Sequence, residues 1–547
     1  MKKEFFFYTA VFTGSFLLFQ IQPIISKMIL PLFGGSYLVW ATCLVFFQAF
    51  LLLGYLYAHL GQRILGVRNF ALVHVFLLFS VFFFFSPQIQ ETSRKFLDWP
   101  LPAAVFVILL LKVGLPFLLL SAGSLIIQSW YYVSTTSDNS PYFLYGTSNA
   151  GSLLALASYP FLIEPLLNIG SQIAAWRSLY LSLIVFYFFC FPYRPAKVLS
   201  SNLRQRIIIE DRKKITVWFF LSMAPACLLT STTNIITFDI PPVPLLWIMP
   251  LGIYILTFIL TFRKTVGLAG NAEIFFRWII PVGAVFYLLS CLHLSLPSAL
   301  FIFIALSVLF IVGFACHGKL VSLKPEHESS LTLFYVIIAM GGICGSFIAG
   351  IIMPLVTDSL LEYPFSLFLA AAAFALAIPQ KEDVKPLFLR QVFFVSLGVV
   401  FFLLFLPGVL SIFFSFKERT IFVFSGTALF ILLRCISRSF RFLSLTMLLI
   451  VILFPWIEGI VGAGSSVEKF RNFYGIYRIY DKEGQRFLEH GSVIHGRQYL
   501  DKERICAPAG YYHSSTPAGE IFTSEDFTLK DIAMIGLGSG ALLAHLH

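Results

Sequence analysis

The chain has 547 residues, 58% of them hydrophobic and 12% charged, with a net charge of +11 at neutral pH and a mean hydropathy of +0.87. That balance excludes a water-soluble globular fold for most of the chain and implies a polytopic α-helical membrane protein. The charge excludes a nucleic-acid binder, because from Gly462 onward nine Lys/Arg meet ten Asp/Glu and the positive excess falls in the loops of the apolar part.

Apolar runs of bilayer-spanning length, about 17–25 residues, recur from Phe5 to Val461. The first lacks a small-residue cleavage site and leads directly into further spans, so it is read as a span and not as a signal peptide. Spans are predicted to start near Phe5, Tyr37, Phe70, Pro102, Tyr142, Ser178, Ile215, Val243, Trp278, Ser298, Leu331, Phe365, Val392, Ile421 and Phe442. The basic segment Arg194, Lys197, Arg204, Arg206, Arg212, Lys213 and Lys214 divides the first twelve into two sets of six. Positive loops face the cytoplasm, which puts this segment and Lys2-Lys3 inside. The predicted organisation is a first membrane half at 1–192, a basic loop at 193–214, a second half at 215–380, additional helices at 381–461 and a soluble tail at 462–547.

An internal repeat supports the two halves. Gly151-Ser152-Leu153-Leu154-Ala155 is followed by Pro160, and Gly345-Ser346-Phe347-Ile348-Ala349 by Pro354 at the same spacing. Both copies fall in the fifth span of their half, after Phe143/Tyr145 and Phe334/Tyr335 respectively. Small residues at such spacing allow close helix packing in lipid, and duplicated halves are usual in transporters. Among ionisable residues in or beside apolar runs, Asp239 and Lys112 are candidates for a transport or ion role. An interfacial position facing water is the alternative for Asp239, as it is for Glu164. Pro116, Pro225 and Pro250 mark either broken helices or ordinary kinks. The eight cysteines include no C-x-x-C pair, which argues against a disulfide scaffold or a zinc site.

In the tail, Arg471 to Tyr480 alternates as a strand, Asp481-Lys482-Glu483-Gly484 reads as a turn and Arg486 to His490 as a second strand, giving a hairpin. His490, His495, His513, His545 and His547 have spacings that match no standard metal-ligand set. The stretch Ile532 to His547 reads as a short apolar strand, then Gly536-x-Gly538-x-Gly540, then a helix-like segment. Glycines at a strand-to-helix turn let the backbone approach a nucleotide or adenosyl ligand.

Taken together, His490-Gly491 to Gln498, the Tyr512-His513 pair and the Gly536/Gly538/Gly540 loop resemble the N-terminal part of a spermidine synthase-like (polyamine aminopropyltransferase) domain. The membrane part resembles the integral membrane region of bacterial proteins fused to such a domain. The stretches that carry this are Phe33-Gly34-Gly35-Ser36, Ser148 to Ser152 with Pro160 and Glu164-Pro165, Thr237-x-Asp239-Ile240, Cys316-His317-Gly318, and Phe334-Tyr335 with Gly341-Gly342. The resemblance implies that Gly536, Gly538, Gly540 and His513 contact decarboxylated S-adenosylmethionine or a similar cofactor. It implies that Gln498 and Tyr512 line an amine site. Two departures stand out. The family's Tyr-His-Glu triplet reads Tyr512-His513-Ser514, and the positions of its ribose-binding acid and catalytic aspartate lie beyond His547. On the order of 150 further residues would complete such a domain, so the chain is expected to supply no catalytic residue and to be inactive alone.

The expected fold is an all-α polytopic bundle of about 14–15 transmembrane helices, with 6+6 transporter-like halves plus two or three extra helices. A small β-hairpin module and the start of a Rossmann-like α/β domain follow. The first functional reading is a membrane-anchored aminopropyltransferase-like protein; the alternative is a transporter of polyamines or other small cations, with the tail as regulator or remnant. A scaffold without turnover is the third. The partners expected are the lipid bilayer and a small amine, with no nucleic acid. The expected location is a bacterial inner membrane with a cytoplasmic N-terminus and a cytoplasmic tail.

Overall fold

Among the described residues, prolines stand in or just after three widened turns of the membrane part. Proline has no N–H and its ring presses on the preceding turn, so a helix that must continue through it widens locally. The computed structural model shows such widening as three π turns, at Leu110–Gly114 ahead of Pro116, at Tyr159–Ile163 around Pro160, and at Ile348–Ile352 ahead of Pro354. The structure describes residues 2–33, 37–84, 95–96, 98–134, 141, 143–192, 212–239, 248–262, 269–291, 297–325, 330–378, 430, 433–434, 439–461, 466–472, 475–491, 493–523, 532–534 and 539–546.

In chain order, α1 (Lys2–Phe33) is followed by α2 (Tyr37–Phe84), which turns at Gly66 where φ is +76°. The predicted spans near Tyr37 and Phe70 are its two arms. Next come α3 (Leu101–Leu109) and α4 (Leu115–Ser134), joined by the first π turn. The second π turn joins α5 (Phe143–Ser158) to α6 (Glu164–Leu166), and α7 (Ile169–Cys190) follows. Beyond the basic segment lie α8 (Arg212–Asp239), α9 (Ile248–Phe262), α10 (Ala269–Cys291) and α11 (Ser298–Ser322). The third π turn joins α12 (Leu331–Phe347) to α13 (Met353–Val356), and α14 (Glu362–Ala377) and α15 (Phe440–Val461) complete the helices of the bundle. Among the described residues, seven helical stretches are long and apolar enough to cross a membrane, and 248–262, 362–377 and 440–455 are shorter apolar helices. The predicted spans near Val392 and Ile421 lie outside the described residues.

The same set of neighbours recurs in the two parts of the bundle. α1 packs on α4, α5 and α7, and α8 packs on α11, α12 and α14. α2 packs on α4 and also on α12 of the other part; α9 packs on α11 and also on α5. The repeated glycines make the tightest of these crossings. A methyl group on Gly151 would overlap the backbone of Phe12 in α1, and one on Gly345 the backbone of Met223 in α8. Lipid gives no hydrophobic drive between helices, so close van der Waals approach through glycine supplies the packing instead.

The tail forms an antiparallel sheet in the order β1-β2-β3-β4: β1 (Ser466–Asn472), β2 (Gly475–Lys482), β3 (Gln485–His490) and β4 (Val493–Tyr499). The predicted hairpin is β2–β3, and its turn residues Glu483 and Gly484 both have positive φ, +51° and +72°, as a two-residue type I′ turn requires. The predicted single strand from Arg471 to Tyr480 is instead the end of β1 and most of β2, paired Phe470↔Tyr477. An aromatic ladder crosses the sheet: Phe470 stacks on Tyr477 at 5.0 Å, Tyr477 on His490 at 4.4 Å, and His490 lies 5.5 Å from His495.

The expected Rossmann start has no support among the described residues. Residues 532–534 form no regular element, and Ala541–Leu546 is a 3-10 helix rather than an α-helix. The structured core of the tail is the antiparallel sheet, and among the described residues no strand of it pairs with 532–534.

Two poles can be told apart. At the first, Tyr131 Oη donates to Glu4 (3.4 Å), Phe6 stacks on Phe189 (4.6 Å), Ser129 bonds Gln62 (2.9 Å), His59 bonds Thr332 (2.6 Å) and Trp218 Nε1 donates to the Leu323 carbonyl (2.8 Å). At the second, Lys27 pairs with Glu164 at 2.7 Å and Asn234 bonds Glu362 at 3.0 Å. The sheet sits at this second pole, with Gly491 against the backbone of Phe238 near the end of α8. Lys2 and the sheet therefore lie at opposite ends of the bundle.

Candidate functional site

The polar and aromatic side chains between the two parts of the bundle gather toward the first pole, where α5 meets α9 and α12. Tyr145 of α5 lies 4.8 Å from Tyr335 of α12 and 4.7 Å from Phe262 of α9, ring to ring. Tyr335 donates its hydroxyl to Gln128 Oε1 of α4 at 2.9 Å, a bond that crosses from one part to the other. On α11, His317 is fully buried, shares a hydrogen bond with Thr257 Oγ1 at 2.8 Å and stacks 3.6 Å from the ring of Phe258. Its other ring nitrogen has no hydrogen-bond partner among the described residues. Among the described residues, this cluster contains no Asp or Glu. It is an uncharged seam of rings, hydroxyls and amides, suited to closing one pole by stacking and hydrogen bonds rather than by ion pairs.

A second motif occurs once in each part, and the sequence reading missed it. Gln20 of α1 donates Nε2 to the carbonyl of Ala155 at 2.8 Å and to Ser158 at 3.1 Å. Asn234 of α8 reaches the carbonyl of Ala349 at 3.5 Å. Ala155 and Ala349 each stand five residues before the proline; Ala349 lies inside the third π turn, where the i+5 residue is Pro354 and has no N–H to give, whereas Ala155 lies in α5 just ahead of the second π turn. An amide side chain from the neighbouring helix supplies the donor. The repeat of glycine and proline was visible in the sequence, but the two amides are on other helices and share no local spacing with it.

The residues predicted for transport separate. Lys112 lies in the first π turn, half-buried beside the exposed Leu111. Asp239 ends α8, and its side chain lies outside the described residues. Glu164 is paired with Lys27 and more than a third exposed.

The residues predicted for the cofactor and amine are only partly drawn together. Gly536 and Gly538 lie outside the described residues. Gly540 has φ +72°, and its neighbour Ser539 packs directly over Gly496 of β4. Gln498 of β4 is exposed and donates to the Ile505 carbonyl at 3.2 Å. Tyr512 accepts a bond from His545 on its carbonyl at 2.6 Å, which leaves its hydroxyl out of that contact. His513 bonds Ser515 at 2.8 Å within its own turn. Of the predicted histidines, none belongs to a group of three or more His, Cys, Asp or Glu among the described residues.

The tail meets the bundle through β1. Arg471 binds Glu362 of α14 in a bidentate pair, at 2.6 and 3.0 Å, with side-chain exposures of 5% and 0%. It also donates to Thr357 Oγ1 at 3.3 Å and to the Ser359 carbonyl, while Lys469 donates to Ser359 Oγ at 3.0 Å. Neither Glu362 nor Arg471 was singled out for such a role in the sequence. A carboxylate at the start of an apolar run gives no sign that its partner stands more than a hundred positions away.

No family model matches the sequence, and no curated protein matches it. Among solved structures the chain is similar to the crystal structure of the nucleoside transporter NupG, at 14% identity and a TM-score of 0.43, over 70% of this chain and 100% of that chain.

Proposed function

We propose that the bundle is a membrane solute transporter whose halves, 1–192 and 215–380, rock against one another. The observation that carries this is the two-fold recurrence inside the bundle. Each part has a glycine crossing at its fifth helix, a π turn beside a proline, and an amide from its first helix bound to the carbonyl five residues before that proline. Parallel repeats of this kind place a substrate path between two rigid bodies. The contacts between the parts described above, Tyr145–Tyr335, Tyr335–Gln128 and His59–Thr332, cluster at the first pole, as a gate at one end would. The uncharged seam favours a neutral polar or aromatic solute over the polyamine cation first expected.

The first pole is the cytoplasmic one in this proposal. Lys2 and Lys3, Arg63 and Arg68, Lys319 and Lys324, and the helix ends joined by the basic segment all belong to it, and positive charge stays inside. The sheet then lies on the opposite side. Uptake in proteoliposomes is the test, with neutral solutes and amines in parallel arms and Asp239→Asn beside the parent. Concentrative uptake of any solute that is lost on cross-linking position 145 to 335 supports the proposal. No uptake in any arm speaks for a scaffold.

Binding of decarboxylated S-adenosylmethionine to the tail stands as a second reading, favoured by the packing of Ser539 on Gly496 beside Gln498. It requires the opposite orientation, since adenosyl donors are cytoplasmic. Saturable micromolar binding to the purified chain would support it, and inhibition of that binding by Gly540→Val would locate it.

A further inference from the structure

The buried arginine that docks the sheet does more than hold it to the bundle. Arg471 binds Glu362; Glu362 Oε1 in turn accepts from Asn234 Nδ2 at 3.0 Å; and Asn234 reaches the Ala349 carbonyl in the third π turn at 3.5 Å. One chain of polar contacts thus runs from β1 to the widened turn of α12. The same guanidinium grips Thr357 and Ser359, the link between α13 and α14. In the first half, the carbonyl at the equivalent position, Ala155, is held by Gln20 from within the bundle. Glu164 of that half is paired with Lys27 of α1 and lies in the open. The two halves are alike in the carbonyl that an amide holds, five residues before the proline, and unlike in what that amide is joined to.

We infer that the β-sheet module is a conformational control on α12, acting through Arg471, Glu362 and Asn234 on the π turn at Ile348–Ile352. With the sheet docked, Glu362 is neutralised and its oxygen is fixed where the Asn234 amide can bridge it to the turn. With the sheet lifted, a fully buried carboxylate loses its counter-charge, a state that a protein relieves by admitting water or turning the group outward. Either movement takes the acceptor from Asn234 and releases the carbonyl it held. π turns are places where a helix changes register or bend, so the released element has a second arrangement available, which is what coupling between distant places needs. A partner or ligand that pulls on the sheet would therefore act on the fifth helix of the second half alone. The inference stands whether or not the bundle moves a solute, because it concerns the response of α12 to the sheet.

The test is amide hydrogen exchange on the full chain in nanodiscs, comparing the parent with Arg471→Met, Asn234→Leu and the double variant. The first half is the internal standard. Arg471→Met is expected to raise exchange at residues 348–356 by on the order of tenfold and to leave 159–166 unchanged. In the Asn234→Leu background, Arg471→Met is expected to add nothing further at 348–356. The inference is overturned if 348–356 does not respond to Arg471→Met. It is equally overturned if both halves respond alike, or if the two substitutions add in full. Should Arg471→Met not give monodisperse protein, Arg471→Gln removes the charge, keeps amide donors for Thr357 and Ser359, and is read by the same three outcomes.

Discussion

Single residues carry the tightest constraints in this molecule, and they can be ranked. Gly151 and Gly345 face backbone, whereas a methyl group on Gly342 would meet nothing within 4 Å. Backbone cannot rotate away as a side chain can. Gly345→Ala and Gly151→Ala are therefore expected to cost about 1–3 kcal/mol each, and Gly342→Ala close to nothing. Denaturant unfolding in detergent, followed by tryptophan fluorescence, checks the order. An equal cost at all three positions would remove the close crossings from the account. The Arg471–Glu362 pair gives a second ranking. Arg471→Met leaves an uncompensated buried charge and is expected to cost about 3–5 kcal/mol, while Arg471→Met with Glu362→Gln costs less than Arg471→Met alone. If the double variant is the less stable of the two, the guanidinium is not neutralising Glu362. The repeat around the two glycines was legible because its residues are neighbours in sequence. Gln20, Asn234, Arg471 and Glu362 were not, because each meets a partner on another element and hydrogen-bond pairing across helices leaves no periodic trace.

Among the elements, the hairpin was the most legible. Alternation marked two strands and Asp481 to Gly484 the turn between them; in the structure the turn residues are Glu483 and Gly484, both at positive φ. Gly484→Val is expected to destabilise the sheet by about 1–2 kcal/mol, seen as faster exchange across β2 and β3. β1 was misread because Arg471 and Asn472 continue the alternation of β2, and alternation alone does not mark where a strand folds back. The apolar run Ile532 to Ile535 is compatible with a strand but specifies no neighbour, and its described residues, 532–534, form no regular element. The sheet also carries a pH dependence of known sign. Arg486 donates to both oxygens of Asp481, at 2.8 and 2.9 Å, and these hydrogen bonds hold the Asp481 carboxyl below its ordinary range. A depressed folded pKa means that the contribution is present above the unfolded value and lost as pH falls through the folded one. Protection of the β2–β3 amides is expected to drop in acid below the usual aspartate range. Arg486→Gln should abolish that dependence, and a persistent drop in the variant would assign it elsewhere.

For the whole molecule, the composition pointed to a membrane bundle and the basic segment to two halves, and neither fixed which end of the bundle carries the tail. The packing of the sheet on Phe238 and Glu362 places it at the end of the bundle opposite Lys2. Cys506 is exposed on the tail. In spheroplasts of a strain carrying Cys344→Ala, a membrane-impermeant maleimide is expected to label Cys506 without permeabilisation. Labelling only after lysis would reverse the orientation and restore the adenosyl-donor reading.

The central claim is that two like halves move as bodies about the seam of Tyr145, Tyr335 and Gln128. Double electron–electron resonance in lipid tests it without knowledge of the solute, using spin labels at exposed positions in a cysteine-depleted background. Phe5→Cys with Ser322→Cys spans the first pole, and Leu166→Cys with Leu355→Cys spans the second. Phe5→Cys with Leu65→Cys stays within one half as a control. The account predicts two distance populations at each pole, the first pole lengthening as the second shortens when conditions shift the balance, with a single population in the control pair. One unchanging distance at both poles would contradict it.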